Sequence, residues 1–151
     1  MSEGATFSRR LPDEESTLEL GGSWAKSLHA PLVIHLQGDL GAGKTTFTRG
    51  ILRGLGHTGA VKSPTYAIVE SYPLEAFTLH HFDLYRFASP EEWEDAGLDD
   101  LFSPDSVCII EWPQQGGAFT PPADITVSLN HAVQGRTCTA TAHTANGQKS
   151  L

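Results

Sequence analysis

A glycine-rich segment between a predicted strand and a predicted helix constrains the fold of this chain more than any other feature. Residues 38–45 have the sequence GDLGAGKT and match the pattern G-x-x-x-x-G-K-[ST] of the phosphate-binding P-loop. The apolar, β-branched run at 32–36 predicts a buried strand before it. Phe47, Ile51 and Leu55 follow the loop at helical spacing. Because this motif requires a strand before the loop and a helix after it, the context predicts an α/β fold.

The residue types in this segment are those that phosphate groups require. Glycines allow a tight turn in which backbone N–H groups point at phosphate oxygens, and the helix N-terminus adds positive potential. We expect Lys44 to reach the β- and γ-phosphates of a nucleotide and Thr45 to ligate Mg²⁺ through its hydroxyl. The alternative is a chance glycine turn before a helix, which the agreement of motif and flanks disfavours.

Length and composition favour a single domain. The chain has 151 residues, which suffices for one full hydrophobic core, and we expect residues 1–151 to form one P-loop domain with a loose tail at about 143–151. It has no apolar run long enough to cross a membrane and no signal-peptide pattern at its start, so a cytoplasmic location is expected. Cys108 and Cys138 lie in strand-like stretches and are expected to be reduced and packed.

The charge balance bears on the class of partner. The net charge of −8 at pH 7 argues against a broad nucleic-acid-binding face, which is normally basic. It is compatible with docking onto a basic protein partner.

The remaining chain predicts further elements around the P-loop unit. Asp13 is expected to cap a helix, and Ser89 is expected to begin a short acidic helix that ends at Gly97. An antiparallel hairpin is predicted from 66–72 and 77–82. Further strands are predicted at 6–10, 107–111, 124–129 and 136–142.

Two carboxylates at predicted strand ends are candidates for a metal site. A P-loop NTPase needs a carboxylate near the metal, at the end of a strand beside the P-loop strand. Glu111 fits this description best, and Asp83 is the second candidate. One carboxylate could hold Mg²⁺ directly or through water while the other orients the attacking water. The alternatives are a solvated strand end for Glu111 and a turn cap for Asp83.

Three further features have both a functional and a structural interpretation. Thr65 lies where many NTPases carry a γ-phosphate sensor, although Ser-Pro-Thr is also a common turn. Trp112 could contact a partner or substrate, or it could pack in the core. His80 and His81 would point to opposite faces of a strand, so they make a poor metal pair and are interpreted as structural or substrate-facing.

Four motifs in a fixed order resemble one family. The segments GDLGAGKTT at 38–46, KSPTY at 62–66, HFDLYR at 81–86 and IEWP at 110–113 are closely similar to those of the TsaE family, also called YjeE. That family comprises small bacterial P-loop ATPases of tRNA threonylcarbamoyladenosine synthesis. The likeness runs from about residue 12 to about residue 136, and the combination of four motifs is far more specific than a lone P-loop.

The resemblance implies a fold, two cofactors and a set of site residues. The fold is a P-loop NTPase-like, three-layer α/β fold with a central mixed, mostly parallel sheet flanked by helices and an antiparallel hairpin. The cofactors are ATP and Mg²⁺, with weak hydrolysis by the protein alone. By motif position Lys44 would hold phosphates, Thr45 and Glu111 would hold the metal, Thr65 would sense the γ-phosphate, Asp83 would support catalysis, and Trp112 would lie at the site. The implied nucleotide contacts are Asp39, Leu40, Gly41, Ala42, Gly43, Lys44, Thr45 and Thr46, with Glu14 and Arg136 as the nearest matches to two further contacts.

The resemblance also implies a pathway and a partner. The modification forms on the adenosine beside the anticodon, in tRNAs that read codons beginning with A. The family acts there on the TsaD–TsaB pair, which ATP hydrolysis resets between turnovers, and it meets tRNA only through that complex.

Three rival interpretations are a small-molecule kinase, a GTPase switch and a nucleotide-gated assembly module without turnover. The chain has no arginine-rich lid segment and no N-K-x-D motif, which disfavours the first two. The third stays open, since slow turnover and no turnover leave the same residues.

Overall fold

A seven-stranded sheet with helices on both faces organises the residues that this computed structural model describes, namely 6–39, 43–64 and 67–151. The strands are β1 (Thr6–Leu11), β2 (Leu32–Gln37), β3 (Val69–Pro73), β4 (Thr78–Asp83), β5 (Ser106–Glu111), β6 (Ile125–His131) and β7 (Arg136–Ala142). The helices are α1 (Glu14–Ala25), α2 (Lys44–Gly54), α3 (Glu92–Asp95) and α4 (Ala145–Ser150), and 3-10 turns span Leu98–Leu101 and Pro113–Phe119.

The sheet is mixed, and its centre is parallel. The strand order is β1-β7-β6-β2-β5-β4-β3, with parallel pairing from β6 through β2 and β5 to β4. Because β7 and β3 pair antiparallel to their neighbours, five of the seven strands in the described residues run in one direction. Every residue of β5 is buried, as expected for a parallel strand covered on both faces. The predicted three-layer α/β fold with a mostly parallel sheet is confirmed.

Two hydrophobic clusters form the core on opposite faces of the sheet. Helices α1 and α2 cover one face, where Trp24 and Phe47 stack with ring centroids 5.9 Å apart above Ile34 and Ile109. On the other face, the segment from α3 to Phe102 covers β4 and β5, and Trp93 stacks on Phe82 at 5.9 Å. Helix α2 follows the P-loop and lies on the face that α1 and α2 cover, so we expect the functional site on that face.

The start of α1 follows from its capping residue, as the sequence predicts. The side chain of Asp13 accepts a hydrogen bond from the backbone N–H of Ser16 at 2.8 Å. The hydroxyl of Ser16 also donates to this carboxylate, and the two bonds, the hydroxyl's first, lower the pKa of Asp13 because they favour its charged form.

Close backbone contact fixes α1 against α2. A Cβ atom placed on Gly50 would lie 2.4 Å from the carbonyl oxygen of Leu18, a distance that no side chain tolerates. The two helices can therefore approach this closely only because glycine stands at this point. The contact sets the position of α2, whose first residue is Lys44.

Both cysteines are buried and unbridged, as predicted. Burial raises the pKa of Cys108 to about 12 and that of Cys138 to about 11, because the thiolate loses its hydration.

No helix within the three described ranges has the length and apolarity needed to cross a bilayer.

The expectation of a loose tail at about 143–151 is wrong. Residues Ala145–Ser150 form α4, which Thr144 caps by accepting a hydrogen bond from the N–H of Gly147 at 3.0 Å. The indole N–H of Trp24 donates to the carbonyl of Ser150 at 2.6 Å, and the Ser150 hydroxyl accepts from the N–H of His29 at 2.9 Å. These polar bonds anchor the segment although it lacks an apolar face.

Two predicted element boundaries also shift. The hairpin's first strand begins at Val69, later than the predicted 66, because Ile68 has a φ of 71° that no strand continues. The acidic helix α3 is limited to Glu92–Asp95, although Glu92 does reach back to accept from the N–H of Ser89 at 3.1 Å.

We expect Gly50→Ala to lower the free energy of unfolding by about 1–3 kcal/mol, because its methyl group would overlap the Leu18 backbone and force the helices apart. Gly22→Ala is the matched control, since a Cβ there would lie 3.5 Å from the Gly50 carbonyl oxygen, an ordinary contact. That control should be neutral or stabilising by up to about 1 kcal/mol, from improved helix propensity. Urea denaturation followed by circular dichroism measures both, and equal effects would contradict this packing account.

Candidate functional site

The register of β4 and β5 places the two predicted carboxylates side by side. Asp83 and Glu111 end these strands and are direct register partners, and Glu111 is also paired with Leu36 of β2. Side chains two residues apart share a face, so both acids lie on the face of Leu79 and Ile109, where α1 and α2 pack. Both side chains are buried, with exposed fractions of 5% for Asp83 and 4% for Glu111.

The P-loop helix begins at the same edge of the sheet. Strand β2 ends at Gln37, and α2 begins at Lys44 after Gly43, whose φ of 99° lies in the region that favours glycine. Since β2 is parallel to β5, the start of α2 and the end of β5 meet at this edge. A helix N-terminus offers unpaired N–H groups and positive potential, which suits an anion.

Lys44 is held between three groups of the site. Its Nζ donates to the carbonyl oxygen of Gly38 at 2.7 Å and lies 3.6 Å from Oε1 of Glu111. The same atom lies 4.3 Å from the ring centroid of Trp112, in cation–π range. With 7% of the residue exposed, its charge is compensated by a carboxylate and an aromatic face more than by water. A phosphate group would compete directly for this ammonium.

Glu111 has a second and closer partner in His81. The Nε2 atom of His81 lies 2.5 Å from Oε2 of Glu111, and the imidazole is fully buried. Sequence reasoning missed this role, because it rejected His80 and His81 as a metal pair and interpreted them as structural or substrate-facing without naming a partner for either. The strand alternation that separates the two histidines also places His81 on the face of Asp83, two residues on, and this signal was present in the sequence.

His80 does face the other way, as predicted. Its Nδ1 lies 2.6 Å from the hydroxyl of Ser71 on β3, and its ring lies near that of Phe82. Burial lowers the pKa of His80, because the charged form loses hydration.

Trp112 stands at the border of the site in a strained backbone conformation. Its φ of 56° and ψ of 50° lie in the left-handed region, which costs a non-glycine residue about 1–3 kcal/mol. The turn sets the indole above Lys44 and 5.0 Å from the ring of Tyr85, which is 41% exposed. The half-buried indole also packs against the second core cluster, which bears out the core interpretation, while contact with a partner or substrate stays a prediction.

Lys44, Glu111 and Trp112 line one cleft with a volume of about 400 Å³, within the usual range for small-molecule sites of about 300–1,000 Å³. The segment before α1 and the turn before β7 form the opposite wall. There the hydroxyl of Thr46 lies 3.5 Å from Oε2 of Glu14. The predicted residues that line the cleft are Glu14, Gly43, Lys44, Thr45, Thr46, Asp83, Glu111, Trp112 and Arg136. As site residues, sequence reasoning missed Leu11, Pro12, Asp13, Thr17, Ser63 and Gly135.

The other predicted site residues do not all join this cleft. Asp39 is exposed and lines an adjacent depression, which shares Lys44 and Trp112 with the cleft. Leu40, Gly41, Ala42 and Thr65 lie outside the described residues. The segment that leads on from Thr65 is tied to the site, because the N–H of Asp83 donates to the carbonyl of Ile68 at 2.8 Å.

The donor set fits Mg²⁺ better than a metal that needs a complete protein cage. Among the described residues, no group of three or more His, Cys, Asp or Glu side chains is placed to enclose a metal. Mg²⁺ usually takes one or two protein oxygens and completes its shell with water and substrate phosphates. The Thr45 hydroxyl and the Glu111 carboxylate in one cleft are oxygen donors of this kind.

Comparisons with known proteins identify the family and agree with the fold. The family model described as "Threonylcarbamoyl adenosine biosynthesis protein TsaE" matches residues 11–138. The tRNA threonylcarbamoyladenosine biosynthesis protein TsaE of Haemophilus influenzae is 45% identical over 148 residues, covering 95% of this chain and 94% of the relative. Its Rickettsia conorii counterpart is 36% identical over 143 residues, covering 93% and 81%. The crystal structure of Bacillus subtilis YdiB superposes with a TM-score of 0.83 at 29% identity, covering 99% of this chain and 94% of that one. The chain therefore belongs to the TsaE family of threonylcarbamoyl adenosine biosynthesis proteins.

Proposed function

We propose that this protein is a Mg²⁺-dependent ATPase that acts on the TsaD–TsaB complex in tRNA threonylcarbamoyladenosine biosynthesis. Its hydrolysis would reset that complex between rounds of modification of the adenosine beside the anticodon, in tRNAs that read codons beginning with A. The observation that carries the proposal is the convergence of Lys44, Asp83 and Glu111 in one cleft at the start of the P-loop helix. Family membership supports the pathway.

Nucleotide binding is proposed to change the partners of Lys44. Its ammonium now contacts one carbonyl oxygen and lies 3.6 Å from Glu111. Phosphate oxygens at the start of α2 would offer it stronger, charge-assisted hydrogen bonds. Lys44 would then leave Glu111, whose Oε1 would become available to another cation. Binding of the phosphates and preparation of the metal ligand are thus one movement.

The carboxylates are proposed to divide two tasks. Glu111 would hold Mg²⁺ together with the Thr45 hydroxyl, and the bound metal would neutralise charge on the phosphate oxygens. Asp83 would orient the attacking water and accept its proton. The N–H of Tyr85 donates to Oδ1 of Asp83 at 2.9 Å, which fixes the direction of this carboxyl group. Thr65 keeps its proposed role as γ-phosphate sensor.

Charge supports a protein partner over direct tRNA binding. At −8, the chain as a whole would repel a polyanion, whereas a basic patch on a partner protein would attract it. We therefore propose that tRNA is met only through the TsaD–TsaB complex, in the cytoplasm.

The protein alone is proposed to hydrolyse ATP weakly, because Glu111 engages Lys44 until the site rearranges.

We expect ATP hydrolysis by the purified protein to be slow, and to be strongly stimulated when TsaD and TsaB are added. Lys44→Ala should reduce the stimulated rate by about 100-fold or more, because it removes a preorganised charge from the phosphates. Lys26→Ala is the control, since Lys26 is exposed at the end of α1 and does not line the cleft. Phosphate release measures the rates of the unsubstituted protein and of both variants. A slow rate that the pair leaves unchanged would contradict partner activation and favour a nucleotide-gated module or a kinase.

Asp83→Asn and Glu111→Gln should each abolish hydrolysis, because each removes a charge that acts on water or Mg²⁺. Metal-free binding of ADP should stay measurable in both variants, because each substitution keeps the shape of the side chain. Asp105→Asn is the matched control. Asp105 is an exposed carboxylate just before β5, at the opposite edge of the sheet. Hydrolysis is followed by phosphate release and ADP binding by calorimetry. Full activity in both site variants would show that these carboxylates do not catalyse the reaction.

A further inference from the structure

The contacts of Glu111 point to a residue that prepares it for its task. We infer that His81 is a positioning residue that fixes the Glu111 carboxylate, so that one oxygen stays directed at the nucleotide side of the cleft. The inference rests on the proposed function, because it takes Glu111 as a ligand of Mg²⁺.

The two oxygens of Glu111 have different surroundings. Oε2 lies 2.5 Å from Nε2 of His81, in hydrogen-bond contact, while Oε1 faces Lys44 at 3.6 Å. The side chains of His81 and Glu111 are 0% and 5% exposed, so water does not compete appreciably for this bond. A carboxylate bonded through one oxygen in a packed interior loses its freedom to rotate. Oε1 is thereby presented to the cleft in a fixed direction.

The hydrogen-bond chemistry of His81 commits it to Glu111. An ionised carboxylate only accepts hydrogen bonds, so Nε2 must carry the hydrogen and donate it. The other ring nitrogen, Nδ1, is buried and has no hydrogen-bond partner among the residues described. Nε2 is therefore the one nitrogen of this ring that forms a polar contact there. Such a donor behind a metal ligand commonly sets the ligand's orientation.

Without this bond, the nearest partner for Glu111 is Lys44. The ammonium and Oε1 are 3.6 Å apart, whereas a direct ion pair with a hydrogen bond has a separation of about 2.7–2.9 Å. A carboxylate released from His81 could rotate and close this gap, since opposite charges attract strongly in a poorly solvated site. That collapse would hold the phosphate-binding lysine and the metal ligand together more tightly than they are now. His81 thus limits the two charged groups to their present 3.6 Å contact, which nucleotide and metal displace more readily than a direct ion pair.

The neighbouring histidine provides a matched control within the same strand. His80 is also buried, with 8% exposed, but it lies on the opposite face and bonds to Ser71. Replacing it removes an imidazole from β4 without touching Glu111. Comparison of the two positions therefore separates loss of a histidine from loss of the Glu111 contact.

The test is the gain in affinity for a non-hydrolysable ATP analogue on adding Mg²⁺, measured by titration calorimetry against a metal-free baseline in EDTA. His81→Leu should reduce this gain by about tenfold or more, the usual effect of removing an outer-shell partner. His81→Gln should restore part of it, because its amide N–H can donate from a position close to that of Nε2. His80→Leu should behave as the unsubstituted protein.

The outcomes separate the inference from the proposed function. If the unsubstituted protein gains nothing from Mg²⁺, the proposed function fails and the positioning role fails with it. If it gains and His81→Leu keeps the whole gain, the positioning role alone is overturned. Should His81→Leu not fold, ¹⁵N NMR of the unsubstituted protein decides. Mg²⁺ and nucleotide should then shift the His81 Nε2 resonance, assigned with His81→Gln, and an unmoved resonance overturns the inference.

Discussion

The site depends on the parallel pairing of β2, β5 and β4, because this pairing brings separate parts of the chain to one edge of the sheet. Leu36, Glu111 and Asp83 lie across from one another in successive strands. A slip of one residue in β5 would turn Glu111 to the opposite face, towards the apolar cluster that contains Phe82 and away from its polar partners. A carboxylate buried without partners is costly, and this cost disfavours the slip. The hydrophobic core thus determines the position of the charged groups.

Three polar side chains contact one another in a series that runs from the P-loop into the core. Lys44 faces one oxygen of Glu111, and the other oxygen contacts His81, which is fully buried. A buried ion pair contributes little net stability, because each charge loses hydration when it enters the protein. In the proposed function, phosphate and a metal ion replace the contact between Lys44 and Glu111, so this pair would serve ligand binding more than stability. Strain at Trp112, whose φ is 56°, occurs at the same place.

The sequence predicted the parts of the structure that local patterns specify. The P-loop unit, the strand that ends in Glu111 and the bounds of β7 follow from glycine spacing and apolar runs. The wall formed by Pro12 and Gly135 could not be predicted, because it requires β1 to pair with β7 across most of the chain. Helix α4 escaped prediction because polar bonds, such as that from Trp24 to Ser150, hold it instead of an apolar face. Strand alternation places His81 on the face of Asp83, but its contact with Glu111 depends on a distance that no spacing rule provides.

In the proposed exchange, nucleotide phosphates take Lys44 from Glu111 and leave Glu111 to the metal ion. A crystal structure with a non-hydrolysable ATP analogue and Mg²⁺ is the decisive measurement. We expect the Lys44 ammonium to contact phosphate oxygens, and Glu111 to face the metal ion while still bonded to His81. A bound nucleotide with Lys44 still beside Glu111, or with phosphates far from the start of α2, would rule out this exchange.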